Sequence, residues 1–174
     1  EGDPRRPVNH YGLTKARGEE AVEAMAGPWH IVRTSWLFGD GPKNFVRTMR
    51  RLLDERETLK VVDDQTGCPT YAPDLAEILA FLVSSDARGI FHGTNAGACT
   101  WYELARETAR RCGHDPARIR PCPGSEYPTP AVRPRCSILL STRLEEAGCP
   151  DRPDWRDAVR RYCARLDAGD VAHP

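Results

Sequence analysis

The chain has 174 residues, which is the size of one domain with a substantial buried core. Lys and Arg total 25, and so do Asp and Glu, so the basic excess typical of nucleic-acid-binding domains is absent. No apolar run is long enough to cross a bilayer, and the seven cysteines form no close pairs of the kind that bind zinc. The composition therefore predicts a reduced, cytoplasmic protein that binds neither nucleic acid nor membranes and whose cysteine thiols bind no metal.

The first predicted helix follows a polar, proline-rich stretch. Asn9 is expected to cap this helix, which is predicted over residues 10–26 and stops at Gly27. The next stretch, WHIVRTSWLFG, is typical of a buried strand that leads into a polar loop, with Ile31 and Val32 at the centre of the strand. A helix followed by a strand is thus predicted at the start of the chain.

The middle of the chain is predicted to alternate helices with short strands. A helix is expected over residues 43–57, because the apolar residues of this segment fall on one helical face. A short strand is predicted over 59–64, followed by a loop, QTGCPTYAP, that is punctuated by glycine and proline. A strongly apolar helix that begins at Pro73 or Asp74 comes next, and GIFHGTN is then predicted to form another short strand.

The C-terminal part is predicted to contain three helices and a long loop. Thr100 is expected to cap a helix that Gly113 ends. The segment 114–136 holds six prolines and little periodicity, so a structured surface loop is predicted there. Ser141 and Asp154 are expected to open the two remaining helices. The alternation of helices with three or four strands predicts an α/β protein.

Tyr11 and Lys15 lie one helical turn apart in the first predicted helix, and so on one face of it. This arrangement suits the reduction of a carbonyl group. A phenol can donate a proton to the carbonyl oxygen as a hydride reaches the carbon, and a nearby ammonium stabilises the phenolate and can bind the ribose of a nicotinamide cofactor. A Tyr-x-x-x-Lys spacing is common by chance, however, so taken alone it favours an ordinary surface pair.

Four ordered blocks carry a family resemblance, and they read PVNHYGLTKARGE, IVRTSWLFG, KNFVRTM and VVDDQTGCPTYAPDLA. In order and spacing they resemble the dTDP-4-dehydrorhamnose reductase family of extended short-chain dehydrogenases/reductases. The resemblance continues through EYPTPAVRPRCSILLSTRLEEAG and DWRDAV, and thus covers nearly the whole chain. It implies reduction of dTDP-4-dehydro-β-L-rhamnose to dTDP-L-rhamnose with NADPH or NADH, a step of nucleotide-sugar and polysaccharide biosynthesis.

The resemblance also implies roles for individual residues. Tyr11 would donate a proton to the sugar C4 oxygen, and Lys15 would tune Tyr11 and hold the cofactor ribose. Trp36 matches a tryptophan that contacts the deoxysugar in this family. Thr34 and Ser35 follow the end of a predicted strand, where α/β folds place ligand-binding loops, so both are expected near the nicotinamide.

Further polar residues are candidates for the nucleotide-sugar pocket. Asn44, Gln65 and Thr70 are expected to line it, and the alternative for each is a capping or loop role. Arg33 has the fork geometry that suits a diphosphate, but its position inside a strand favours a structural ion pair. Arg133, in the proline-rich segment, is a looser candidate for binding phosphate.

The sequence also departs from this family. It contains no G-x-G-x-x-G turn for the cofactor pyrophosphate, and the catalytic serine or threonine expected upstream of the tyrosine helix is not found. The expectation is therefore the C-terminal portion of an NAD(P)-binding Rossmann-like enzyme, with an incomplete parallel sheet and a small substrate-binding subdomain. Residues 1–40 would be the remnant of the Rossmann-like domain, and residues 41–174 a substrate-binding region interleaved with its remaining elements. Such a chain is expected to be inactive alone and to bind NAD(P)H weakly or not at all.

Two alternative functions stay open at this point. One is another nucleotide-sugar reductase, epimerase or dehydratase, and the other is a non-catalytic regulatory subunit of methionine adenosyltransferase, which uses the same fold. Some family members form metal-linked dimers, so a homodimer and a bound Mg²⁺ are also open, although no carboxylate cluster identifies a metal site. The residue that distinguishes NADPH from NADH is expected in the Gly-rich half that the sequence lacks.

Overall fold

The structure, a computed structural model, describes residues 1–127 and 133–169. The helices are α1 His10–Glu23, α2 Phe45–Glu55, α3 Ala72–Ser84, α4 Trp101–Arg111, α5 Thr142–Glu146 and α6 Trp155–Asp167. The strands are β1 His30–Arg33, β2 Leu37–Phe38, β3 Leu59–Val62, β4 Thr66–Gly67, β5 Thr70–Tyr71, β6 Gly89–His92, β7 Cys99–Thr100, β8 Ile119–Cys122 and β9 Cys136–Ser137. No helix in these ranges is long and apolar enough to span a membrane.

The strands pair in four small sheets within the described ranges. Three sheets are parallel pairs, which join β1 to β6, β2 to β5 and β3 to β8. In the fourth sheet, β4 lies between an antiparallel β7 and a parallel β9. Parallel neighbours need long crossover connections, and helices supply them here, so the predicted α/β class is confirmed.

Two segments that were predicted to be loops contain strands, so the prediction of three or four strands is too low. QTGCPTYAP contains β4 and β5, and the proline-rich segment 114–136 contains β8. A strand of two residues, such as β4 or β5, is too short for an alternation of apolar and polar residues to be recognised in the sequence. Pro121 in β8 lacks a backbone donor, and this is tolerated because β8 has β3 as its one described neighbour and thus lies at a sheet edge.

The caps predicted from sequence begin their helices as expected, whereas other boundaries differ. Asn9, Thr100 and Asp154 each accept a hydrogen bond from the first turn of the helix that follows. The first helix ends at Glu23, three residues before the predicted end. The strand predicted to be buried around Ile31 is only four residues long and half-buried, because β6 is its single described neighbour.

The buried core lies mainly among the helices that follow β1. The largest cluster gathers around α6, where Trp155 and Tyr162 pack with Phe38 and Tyr71. A second cluster fills the space between α2, α4 and β3, and a third lies between α3, α5 and β6. These clusters form the scaffold against which the segment after β1 is positioned.

Helix α1 is attached in a different way, because none of its residues is buried. Glu19 accepts two hydrogen bonds from Arg33 on β1, at 2.8 and 2.7 Å, and a third from Arg5 at 2.6 Å. Arg5 also pairs with Glu23 at 2.6 Å. This ion cluster, made of Arg5, Glu19, Glu23 and Arg33, fastens α1 to β1, and the structural ion pair predicted for Arg33 is confirmed.

The ion cluster makes the attachment of α1 sensitive to acid. Hydrogen bonds from Arg33 lower the pKa of Glu19 from 4.5 to about 2, against the opposing effect of burial and with help from Arg5. The attachment is therefore complete above pH 4.5 and is lost as the pH falls from 4.5 toward 2. NMR shifts of residues 10–23, followed from pH 6 down to pH 2, are expected to report this release.

The variant Glu19→Gln is expected to loosen α1 already at neutral pH, at a local cost of about 1–2 kcal/mol. The exposed neighbour Glu20, changed to Gln, is the matched control and should leave the shifts of α1 as they are in the parent chain. A release of α1 that is the same in the Glu19→Gln variant and in the parent would contradict this account.

Candidate active site

A cleft of about 470 Å³ opens where β1 ends. Its walls include the first turn of α1, the segment after β1, and the chain before and within β9. The lining residues are Tyr11, Thr34, Ser35, Trp36, Leu37, Gln65, Trp101, Arg133, Pro134 and Ser137. Carboxyl ends of parallel strands are where α/β folds place ligands, and we refer to this cleft as the tyrosine cleft.

Tyr11 lines the tyrosine cleft, and Lys15 lies next to Tyr11 on α1. The Lys15 Nζ is 5.7 Å from the centre of the Tyr11 ring. Tyr11 is 69% exposed, so its hydroxyl is open to a ligand. The structure thus brings the two side chains to one face of α1, as their spacing predicted.

Trp36 has an unusual backbone. Its φ is +47°, and it is the one non-glycine residue with a positive φ in the described ranges. For a bulky residue this conformation costs about 1–2 kcal/mol. The Trp36 carbonyl accepts a hydrogen bond from the Thr70 backbone N–H at 3.2 Å, which ties the turn to β5. The turn directs the indole into the tyrosine cleft, where it forms part of the wall.

Two neighbours hold the Trp36 indole in place. The indole stacks on Trp101, with ring centres 3.6 Å apart and planes inclined by 10°. On β4, Gly67 approaches so closely that a Cβ added there would lie 2.4 Å from Trp36 Cε2. A side chain at position 67 and the observed indole position are therefore incompatible.

A second cleft, of about 580 Å³, adjoins the tyrosine cleft, and we call it the α2 cleft. Both clefts are lined by Gln65, Trp101 and Arg133. The remaining walls of the α2 cleft are largely apolar, with two basic residues, and come from Phe45, Met49, Leu52, Arg56, Thr58, Leu59, Lys60, Val61, Val62 and Tyr127. Lys60 is paired with Glu126 at 2.8 Å.

Two residues predicted to line the pocket do not reach either of these clefts. The Asn44 side chain caps α2 by accepting from Arg47 N–H, and its amide donates to Gly39 O at 2.8 Å and to Tyr162 Oη at 2.9 Å. Thr70 is fully buried and supports the Trp36 turn. Their polar groups are used in holding the scaffold, which favours the capping or loop alternative for both residues.

Of the other predicted residues, all but Lys15 line the tyrosine cleft, and Lys15 lies next to Tyr11. Thr34 is exposed, and Ser35 donates its hydroxyl to Cys68 O at 2.7 Å, which fixes the loop after β1. Gln65 and Arg133 stand where the two clefts meet. In the described ranges, no group of three or more His, Cys, Asp or Glu side chains is arranged to hold a metal ion.

Sequence reasoning missed Trp101 and the whole α2 cleft. The apolar face of α2 gave a signal, since Phe45 and Leu52 lie at the edge of that face and stay half-buried beside the cleft. For Trp101 no signal is available, because its sequence position indicates only the first residue of a helix.

Gly67→Ala is expected to displace the Trp36 indole and to break its stack on Trp101, because the new Cβ occupies the space of the ring. Stacked indoles couple their electronic transitions, so the circular dichroism of the tryptophan bands should change. The matched control is Gly18→Ala in α1, where a Cβ meets nothing within 4 Å. An unchanged spectrum for Gly67→Ala would contradict the assigned packing.

The chain is similar to a known protein family and to solved structures. The family described as RmlD substrate binding domain matches residues 1–168. A dTDP-4-keto-6-deoxy-D-glucose reductase from Streptomyces niveus is 44% identical, over 94% of this chain and 57% of its own length. A dTDP-4-dehydrorhamnose reductase from Streptomyces griseus is 46% identical, over 91% of this chain and 54% of its own length.

A solved structure is similar over the same region. It is a dTDP-4-dehydrorhamnose reductase from Bacillus anthracis in complex with NADP, with a TM-score of 0.87 and 34% identity, covering 95% of this chain and 58% of the other. The chain thus spans little more than half the length of these relatives. The match of the family over nearly all residues, together with the shared fold, shows that this chain belongs to the RmlD substrate binding domain family of dTDP-4-dehydrorhamnose reductases, with their Rossmann-like extended short-chain dehydrogenase/reductase fold.

Proposed function

We propose that this chain supplies the substrate-binding part and the tyrosine–lysine pair of an oxidoreductase that converts dTDP-4-dehydro-β-L-rhamnose to dTDP-L-rhamnose with NADPH or NADH. One observation carries the proposal, namely that Tyr11, beside Lys15, lines the same cleft as Trp36. The names of the relatives support the substrate, and the NADP bound to the Bacillus anthracis structure supports the cofactor.

The residues of the tyrosine cleft fit the nicotinamide end of the cofactor. Tyr11 is exposed at the rim, Lys15 is close enough to hold a ribose beside it, and Thr34 and Ser35 form the adjoining wall. The sequence has no glycine-rich turn to receive the pyrophosphate. This chain alone is therefore expected to bind NADPH weakly or not at all, as isothermal titration calorimetry can measure.

The chemistry proposed for Tyr11 is proton donation. The hydride that reaches C4 of the sugar would be supplied by a reduced nicotinamide, when one is bound beside Tyr11 and Lys15. As the C4–O double bond is reduced, the Tyr11 hydroxyl donates its proton to the oxygen and becomes a phenolate. The Lys15 ammonium stabilises this phenolate, and the Trp36 indole forms the wall against which the sugar rests.

The α2 cleft is proposed to receive the nucleotide. Its apolar walls, which include Phe45 and Leu52, suit the thymine ring, and the exposed guanidinium of Arg133 suits the diphosphate. Gln65 and Arg133 stand at the junction of the two clefts, which is where a diphosphate between sugar and base would lie.

A second substrate is favoured by one specific observation. The Streptomyces niveus relative is named as a dTDP-4-keto-6-deoxy-D-glucose reductase and is almost as similar as the Streptomyces griseus one. Both reactions reduce a 4-keto group on a dTDP-sugar, so the same residues serve either. Offering both ketosugars and identifying the products by NMR distinguishes the two substrates.

The remaining parts of the proposal concern the setting of the reaction. All seven cysteines are free, which supports a reducing compartment such as the cytoplasm. We also propose that residues 1–40 belong with the cofactor-binding side and that residues 41–174 contribute most of the substrate-binding side. A homodimer stays a prediction.

Arg133→Ala is expected to weaken the binding of dTDP to this chain by about tenfold, because a charge-assisted contact to the diphosphate is lost. Thymidine, which has no phosphate, should bind the variant and the parent equally. Arg120→Ala removes an exposed arginine that lines neither cleft and is the matched control. Calorimetric titration measures the affinities of the parent and of both variants for dTDP and thymidine. An affinity of Arg133→Ala for dTDP equal to that of the parent would rule out the phosphate role of Arg133.

Tyr11→Phe is expected to lower the rate of reduction by about 10²–10⁴-fold, because the proton donor is lost while the ring remains. The assay follows NADPH oxidation in a fusion of this chain to the cofactor-binding part of the Streptomyces griseus relative. Binding of the product, dTDP-L-rhamnose, should stay within about twofold of the parent fusion, which separates loss of chemistry from loss of folding. Turnover by Tyr11→Phe at the parent rate would exclude the proposed mechanism.

A further inference from the structure

We propose that Trp101 is a positioning residue for the sugar, which acts by holding Trp36 in its left-handed conformation. The inference rests on the proposed function, because it takes Trp36 as the wall against which the sugar lies. Trp101 itself needs no contact with the sugar in this account. Its role is to keep one conformation of Trp36 populated before the ligand arrives.

Trp36 needs such support because its backbone is intrinsically unfavourable. L-residues favour negative φ values, and Trp36, at φ +47°, lies outside that favoured range. One backbone hydrogen bond, from Thr70 N–H to Trp36 O, ties the turn to the scaffold. If the turn relaxed to a negative φ, the indole would leave its position in the cleft wall. The side-chain packing of Trp36 must therefore offset the backbone cost.

The stack on Trp101 is suited to this task. Ring centres 3.6 Å apart and an angle of 10° between the planes give extensive contact between the two indoles. Aromatic pairs contribute beyond their buried area, by an amount comparable to the cost of one left-handed residue. Gly67 leaves room for this contact, since any side chain there would collide with the Trp36 ring.

Trp101 is itself held rigidly, and this makes it an effective support. It is the first residue of α4, and Thr100 and Glu103 form a capping box that fixes that end of the helix. Its ring also packs on Phe45 of α2, with centres 4.6 Å apart and planes inclined by 42°. Two helices of the core thus determine where Trp101 lies, and Trp101 determines where Trp36 lies.

The consequence for binding is that the wall of the tyrosine cleft is formed in advance. A ligand then does not need to order the Trp36 turn, so the affinity for the sugar part is higher than it would be with a disordered turn. Truncation of Trp101 should for that reason reduce the affinity for a dTDP-sugar more than the affinity for dTDP. A direct nucleotide contact by Trp101 would reduce both equally.

The first measurement is spectroscopic. Trp101→Leu is expected to abolish the circular-dichroism signal of the coupled indoles, and Trp101→Phe should restore near-parental ligand binding because an aromatic ring can still stack. Trp29→Leu removes an indole that lies outside both clefts and is the matched control. Persistence of the coupled signal in Trp101→Leu would overturn the inference.

The second measurement is a double-mutant cycle with dTDP-L-rhamnose and dTDP as ligands of this chain. Trp101→Leu and Trp36→Leu should each lower the affinity for dTDP-L-rhamnose by about three- to tenfold. The affinity for dTDP should stay within about twofold of the parent value. The double variant should lose no more than Trp36→Leu alone, since one residue acts through the other. Additive losses, or equal losses for the two ligands, would overturn the inference.

Further outcomes are also informative. If the parent protein binds neither ligand, both the proposed function and this inference are refuted. If the parent protein binds both ligands but the losses of dTDP-L-rhamnose affinity in the two single variants add up in the double variant, this inference alone is refuted. If Trp101→Leu does not fold, as judged from its thermal unfolding, Gly67→Ala takes its place, because it displaces Trp36 while Trp101 is intact. It should then show the same selective loss of dTDP-L-rhamnose, and equal losses for both ligands would count against the proposal.

Discussion

The left-handed turn at Trp36 is the constraint on which the candidate site depends. The turn lies between β1 and β2, and it is maintained by a backbone hydrogen bond from β5, the close approach of Gly67, and the stack on Trp101. Each of these contacts comes from a different segment, and each is anchored in the packed part of the chain. The unfavourable backbone therefore persists because the surrounding structure determines it, as is common where ligands bind.

The part of the site that α1 contributes is held by charge rather than by packing. Helix α1 buries none of its residues, and its link to β1 consists largely of the cluster formed by Arg5, Glu19, Glu23 and Arg33. Tyr11 and Lys15 are carried by this helix. The site thus combines a rigid aromatic wall, supported by the core, with a tyrosine whose position depends on partly exposed ion pairs.

The relation of the two clefts is what makes the proposed binding of a nucleotide-sugar geometrically reasonable. The tyrosine cleft has the polar and aromatic groups that the proposed reduction would use, and the α2 cleft offers a largely apolar surface with basic residues in its lining. Gln65, Trp101 and Arg133 belong to both. Under the proposed function, binding of the nucleotide would contribute to placing the sugar carbonyl near Tyr11, because binding energy remote from the reacting atoms supports catalysis.

Local signals in the sequence were sufficient for the helices and for the tyrosine–lysine pair. Asn9, Thr100 and Asp154 form their caps with residues two or three positions away, and Tyr11 meets Lys15 because helical geometry brings residues four apart to one face. The order of the sequence blocks determined the family. These features depend on neighbours along the chain, so they can be predicted without a fold.

Tertiary structure alone determined which residues form the wall of the site and which hydrogen-bond partners several polar residues take. The amide of Asn44 is occupied by Gly39 and Tyr162, and Trp36 and Trp101 meet although they lie far apart in sequence. Which partner a polar or aromatic side chain takes depends on which distant segments pack against it. Short strands such as β4 and β8 depend in the same way on distant partners, because a two- to four-residue strand is stabilised by its neighbour rather than by its own pattern.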